Sequence, residues 1–192
     1  MNNVNTNTNT NTKDLNAKTI ALIGLMAAVT CIMGPLSIPL PFSPVPISLT
    51  NLAIYLTIYV LGMKKGTLSY IIYLLLGFAG LPVFSGFTSG PAKLLGPTGG
   101  YLIGFIFLAI ICGIFIEKWT TKRLLCFIGM VIGTAVCYLF GTVWLAYQAG
   151  MSFYAALAAG VIPFIPGDLV KIVIAMILGT EIRKRLKKAD LV

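Results

Sequence analysis

Three charged residues stand apart from the rest: Lys93, Asp168 and Lys171 lie in or beside apolar or Pro/Gly-rich stretches, away from every other cluster of charge. In PFIPGDLVKI, Pro163 and Pro166 interrupt a helix, Gly167 loosens the turn, and Asp168 is suited to be the N-cap of the helix that follows. Lys171, three residues on, shares its face. From Asp168 to Glu181 such a helix rises only about 20 Å, against about 30 Å of hydrocarbon, so both charges are expected below the outer surface of a membrane. Charge at that depth is costly and marks function by default. A carboxylate next to an ammonium can satisfy a neutral polar ligand that both donates and accepts hydrogen bonds. It can also be a structural pair, the acid capping the helix and neutralising the lysine, and the residues alone leave both readings open.

Two further segments carry hydrogen-bonding groups. GLPVFSGFTSGPAKLLGPTGGY, residues 80–101, contains Phe84, Gly86, Lys93, Gly99 and Tyr101. Its glycines permit close backbone approach, and Thr98 or a neighbour can open a helix whose first N–H groups favour an anion, with the Lys93 charge nearby. The segment lacks the Lys-Ser or Lys-Thr ending of a nucleotide-binding P-loop, so no ATPase is expected in this chain. Such a loop can equally be a re-entrant structural plug. PLSIPLPFSPVPISLTN, residues 35–51, brings Ser48, Thr50 and Asn51 to the mouth of a helix, as ligand contacts or as caps.

The elements that position these groups follow from composition. Of 192 residues, 58% are hydrophobic and 10% charged, and the mean hydropathy is +0.95. A soluble domain carries about 25% charge, and a protein this small would be left with large exposed apolar patches, so lipid is the expected solvent. The net charge of +9 forms no basic polar face for nucleic acid. Without histidine there is no imidazole for metal or general-base chemistry. Cys31, Cys112, Cys126 and Cys137 sit in apolar stretches without metal-site spacing and read as packing.

Apolar segments at about 19–34, 49–63, 67–81, 100–116, 124–147 and 169–179, with a short one at 153–162, predict an all-α integral membrane protein of six transmembrane helices. Residues 1–16 begin a low-complexity Asn/Thr tract and read as a disordered polar tail, leaving 17–192 as a single six-helix membrane domain. Lys13 and Lys18, Lys64 and Lys65, Lys118, Lys122 and Arg123, and Arg183, Lys184, Arg185, Lys187 and Lys188 fall in alternate connections, which makes both termini cytoplasmic. All ten prolines lie in or beside the other connections, so the outer loops are long and Pro/Gly-rich. Irregular backbone near membrane depth needs protein or a wet cavity around it, and the outer half is therefore the expected binding cup. Ala17, Ala21, Gly24 and Ala28 place small residues at four-residue spacing on the first helix, which suits a close helix neighbour in this chain or in a partner. Trp119 and Trp144 read as interface anchors or core.

PLPFSPVPISL at 39–49, YLLLGFAGLPVFSG and LLGPTGGYLIGF within 73–105, and PFIPGDLVKI at 163–172 together resemble one family, the biotin-specific substrate-binding (S) components of energy-coupling factor (ECF) transporters, the BioY family. The resemblance spans nearly everything after Thr19. It implies a non-enzymatic six-helix protein of the bacterial cytoplasmic membrane that captures biotin from outside, needs no cofactor, and joins a transmembrane coupling (T) protein and two cytoplasmic ATPase subunits. By position, Asp168 and Lys171 correspond to the family's polar pair, 80–101 to its lid, and Ala17, Ala21, Gly24 and Ala28 to its docking surface for the T protein. Family members often carry Gln where Thr50 stands and Thr where Ser48 stands, so those two contacts depart from the pattern. The role of Lys93 as a carboxylate partner follows from its charge and not from the family. The alternatives are an S component for a different vitamin, a stand-alone ion-coupled transporter, and an intramembrane enzyme using Asp168 and Lys171, for which no nucleophile or metal set is visible.

Overall fold

The computed structural model describes residues 17–189 and 191; the tail expected at 1–16 lies outside them. The chain opens with α1 (Ala17–Met33), followed by a two-stranded antiparallel ribbon, β1 (Ser37–Leu40) and β2 (Ser43–Ser48). Next come α2 (Thr50–Phe78), the short α3 (Pro91–Leu95), α4 (Gly99–Lys118), α5 (Arg123–Ala149), α6 (Phe153–Gly160) and α7 (Ile165–Lys188). Among the described residues α4 and α5 are each long and apolar enough to cross a membrane, and α6 with α7 makes a third candidate span bent by 51°. These apolar helices make the chain a helical membrane protein. Leu25, Ile32, Leu75, Leu139 and Ile177 are all exposed on the helices, where lipid and not water is the compatible solvent.

The ribbon is a departure from an all-helical chain. Five prolines between 35 and 46 argue against a strand inside a sheet, but a two-stranded ribbon consists only of edges, where a missing N–H costs nothing. Ser37 faces Ser48 and Ile38 faces Ile47, and the register slips between Ile38 and Leu40, around Pro39.

The second and third apolar segments join with almost no connection. Within α2, Gly62 has φ +77° and ψ −174°, outside helical space. The chain folds back so sharply that a methyl group at Gly66 would sit 3.4 Å from the Ile58 Cα, eight residues earlier. The carboxylate of Glu117, at the end of α4, accepts the Met63 N–H at 2.7 Å and so supplies from another helix the cap that the break requires.

Buried tyrosines tie the bundle together. Tyr70 donates to the Leu102 carbonyl at 2.8 Å, Tyr73 to Val83 at 3.0 Å and Tyr101 to Gly160 at 2.9 Å, while Tyr55 and Thr134 share a 2.6 Å bond. These four tyrosine hydroxyls each find a partner, as burial favours, whereas that of the buried Tyr59 has none among the described residues. Gly141 on α5 leaves room for the Tyr101 ring, since a Cβ there would lie 2.2 Å from it.

Candidate functional site

Two prolines place the central pair. Pro163 lies in the turn between α6 and α7, and Pro166 occupies the first turn of α7, where its missing N–H is harmless. The helix begins at Ile165 with Phe164 as N-cap, so Asp168 is not the cap that the motif predicts: the helix starts one turn earlier and the carboxylate is released from capping. Asp168 and Lys171 are each only 8% exposed. Lys171 Nζ donates to Asp168 Oδ1 at 2.9 Å and to the Ser48 carbonyl, at the end of β2, at 2.7 Å. Tyr138 of α5 donates to Asp168 Oδ2 at 2.5 Å. The expected shared face of Asp168 and Lys171 is therefore present, with two further elements clamped onto it.

These groups wall a cavity of about 70 Å³ between α2, α4, α5, α7, the ribbon and the loop before α4. Ser48, Thr50, Asn51 and Tyr101 line it with Asp168 and Lys171, joined by Val45, Ser85, Thr98, Phe105, Thr134, Cys137, Tyr138 and Phe164. Ser48 Oγ donates to Thr50 Oγ1 at 3.1 Å. Asn51 Oδ1 accepts the Leu52 N–H at 3.1 Å, and its amide NH2 meets no acceptor among the described residues. The wall is mostly apolar, with one charged corner where Asp168 and Lys171 of α7 meet the Ser48 carbonyl, a pattern in which a few polar groups orient a ligand.

The remaining expected contacts do not line this cavity. Phe84 is fully buried and stacks edge-on against Tyr73, its ring filling the space beside Gly77. Gly86, at φ +72°, donates to the Pro35 carbonyl at 3.1 Å and so fastens the loop to the start of the ribbon. Gly99 is packed under the Leu94 carbonyl. Lys93 lies half-buried on α3 outside the cavity wall, and burial pushes its ammonium below its ordinary value. The expected anion site at the start of α4 is largely occupied by the chain itself: Gly99 N–H goes to Gly96, and Tyr101 and Leu102 N–H both go to Thr98. The loop is held at its far end by Trp144 Nε1 on the Gly96 carbonyl at 2.9 Å and by Gln148 on Leu95 at 2.6 Å. Trp144 is therefore a loop anchor within the protein. Thr98, read from sequence as the start of a helix, lines the cavity as the N-cap of α4, whereas Tyr138 and Thr134 are not legible as site residues, because a hydroxyl inside an apolar helix carries no local mark of a distant partner such as Asp168 or Tyr55.

The site and fold define a helical membrane protein with an internal cavity whose polar end is a buried carboxylate–ammonium pair. The chain belongs to the BioY family, whose sequence profile matches residues 6–188. A protein of Lactococcus lactis named biotin transporter BioY2 is 34% identical over 172 residues, covering 90% of this chain and 93% of that one. A probable biotin transporter BioY of Pyrococcus horikoshii is 38% identical over 169 residues, covering 88% and 98%. A crystal structure of the S-component for biotin from an ECF-type ABC transporter superposes with a TM-score of 0.81 at 34% identity, covering 87% of this chain and 91% of that chain.

Proposed function

We propose that this chain captures biotin as the S component of an ECF-type importer, and that the Asp168–Lys171 pair recognises the ureido ring. The observation that carries the reading is the pair's unspent hydrogen-bonding capacity. A carboxylate offers about four lone-pair sites and an ammonium three donors. Asp168 accepts from Lys171 and Tyr138, which leaves room for two ureido N–H groups. Lys171 donates to Asp168 and Ser48, which leaves one N–H for the ureido oxygen. Asn51, with Ser48 and Thr50, offers further polar contact beside the ring, while Val45, Phe105 and Phe164 supply apolar wall for the thioether body. The carboxylate tail then points toward Ser85 and Thr98.

A cavity of about 70 Å³ holds a ring-sized head and not a whole vitamin, for which pockets of at least about 300 Å³ are usual. Residues 80–98 therefore act as a lid that shifts to admit the ligand, and their anchors at Pro35, Gly77 and Trp144 set the hinge points.

In the same reading residues 17–192 form one six-span domain of the bacterial cytoplasmic membrane. The two arms of α2 are separate crossings, both termini are cytoplasmic, and separate ATPase subunits supply the energy. Ala17, Ala21, Gly24 and Ala28 are all exposed, and none of the described residues lies within 4 Å of a Cβ built at Gly24, which supports a stripe open to a T protein's helix.

Equilibrium titration of the purified chain with biotin and with unrelated vitamins tests the assignment. Biotin is expected to bind in preference, and Asp168→Asn to weaken it by about tenfold or more through loss of a buried charged acceptor. Undiminished affinity in Asp168→Asn overturns the role of that residue. Selective binding of another vitamin makes the chain an S component of different specificity, and uptake that requires only an ion gradient makes it a stand-alone transporter.

A further inference from the structure

The opposite end of the bundle holds a second polar cavity, of about 400 Å³, where the start of α1, the break in α2 and the end of α7 converge. Lys18, Lys65, Arg183 and Lys187 face it, and among the described residues Glu117 is the one acid on its wall. The acid is already engaged, accepting the Met63 N–H at the Gly62 break. Arg183 Nη1 donates to the Tyr59 carbonyl at 3.2 Å, which fixes the guanidinium, and its Nε is buried with no hydrogen-bond partner among the described residues. Lys65 reaches Thr19 Oγ1 at 3.4 Å, which also fixes its ammonium over the cup. Arg183 and Lys65, held over the cup by neutral partners and joined there by Lys187, favour an anion between them over a merely solvated charged surface.

The rest of the wall says what kind of anion. Leu22, Val60 and Leu61 form an apolar side on helices that continue into the hydrocarbon. A free anion gains nothing from that side. A phospholipid places its phosphate among cations and its acyl chains along the leucines, and basic pockets between membrane helices bind anionic headgroups on these grounds. We infer that this cup binds the headgroup of one anionic phospholipid, with Arg183 supplying the fixed planar donors and Lys187 and Lys65 the additional charge.

Native mass spectrometry of the detergent-purified full chain, equilibrated with equal amounts of phosphatidylglycerol and phosphatidylcholine, tests this. One phosphatidylglycerol per chain is expected to be retained in preference. Arg183→Gln is expected to lower that retention about fivefold or more, and Lys187→Gln, at an exposed position that should not disturb folding, about fivefold. Lys64→Gln and Lys118→Gln remove charge from the same end of the bundle without touching the cup, and should leave retention unchanged. Equal retention of the two lipids overturns the site, as does full retention in Lys187→Gln. Displacement by inorganic phosphate at the lipid's own concentration assigns the cup to a free anion and overturns the lipid.

Discussion

Asp168 is poised by its neighbours more than by its own position in the helix. Its two oxygens each take one bond, from Lys171 and from Tyr138, and the second of these comes from a different helix. Tyr138→Phe removes that donor with almost no change of volume. A hydrogen bond to a charged group contributes about 1.5–3 kcal/mol to stability, so the melting temperature should fall by a corresponding amount, and biotin affinity should fall up to about tenfold as the carboxylate loses the donor that orients it. Isothermal titration alongside a melting curve checks this, and a folded variant of unaltered affinity would remove Tyr138 from the site. Lys171 is different, because it joins the pair to the ribbon through the Ser48 carbonyl. Lys171→Met leaves Asp168 buried without its cation, so both affinity and melting temperature should fall. Removing one member of a buried pair costs about 3–5 kcal/mol, an effect large enough to be seen in the melting curve even without ligand.

Among the elements, α2 depends most on a single position. With φ +77° and ψ −174°, Gly62 lies where a side chain is strained whatever the space around it, and its Cβ would meet the Glu117 carboxylate at 2.2 Å. Gly62→Ala is expected to destabilise the fold by about 1–3 kcal/mol, read as a lower melting temperature in detergent. Glu117→Gln should cost less, since an amide oxygen can still accept the Met63 N–H. A larger loss in Glu117→Gln than in Gly62→Ala would show that charge and not backbone geometry holds the break. Lys64 and Lys65 mark the site of this turn in the sequence; its tightness, a single non-helical residue, follows from the glycine and from a cap donated by α4.

For the molecule as a whole, the consequence lies on its outer surface. The small-residue stripe of α1 could serve packing inside the chain or contact with another protein, and its exposure favours the second. Gly24→Leu fills open space, so the isolated chain should fold and bind biotin as before, while co-purification of the coupling protein and ATPase subunits should be lost. Retention of the complex by Gly24→Leu would move the docking surface elsewhere. In the proposed reading the cavity beside α7 selects the ligand and the α1 stripe selects the partner, and the same experiment separates the two roles.

Apolar content, proline placement and the alternating basic connections suffice to read a helical membrane chain, because burial in lipid acts on composition averaged over each segment. Asp168 and Lys171 are legible for the opposite reason, as rare charges three residues apart on one helix, where local geometry alone makes them neighbours. Ser48, Thr50, Asn51 and Tyr101 come to the same cavity at the segment ends where their motifs place them. The β-ribbon, the Tyr138 contact, the turning-away of Phe84, Gly86, Gly99 and Lys93, and the unobstructed side of α1 depend on which surfaces meet. Such meetings are set by packing among residues far apart in the chain, and short-range spacing carries no record of them.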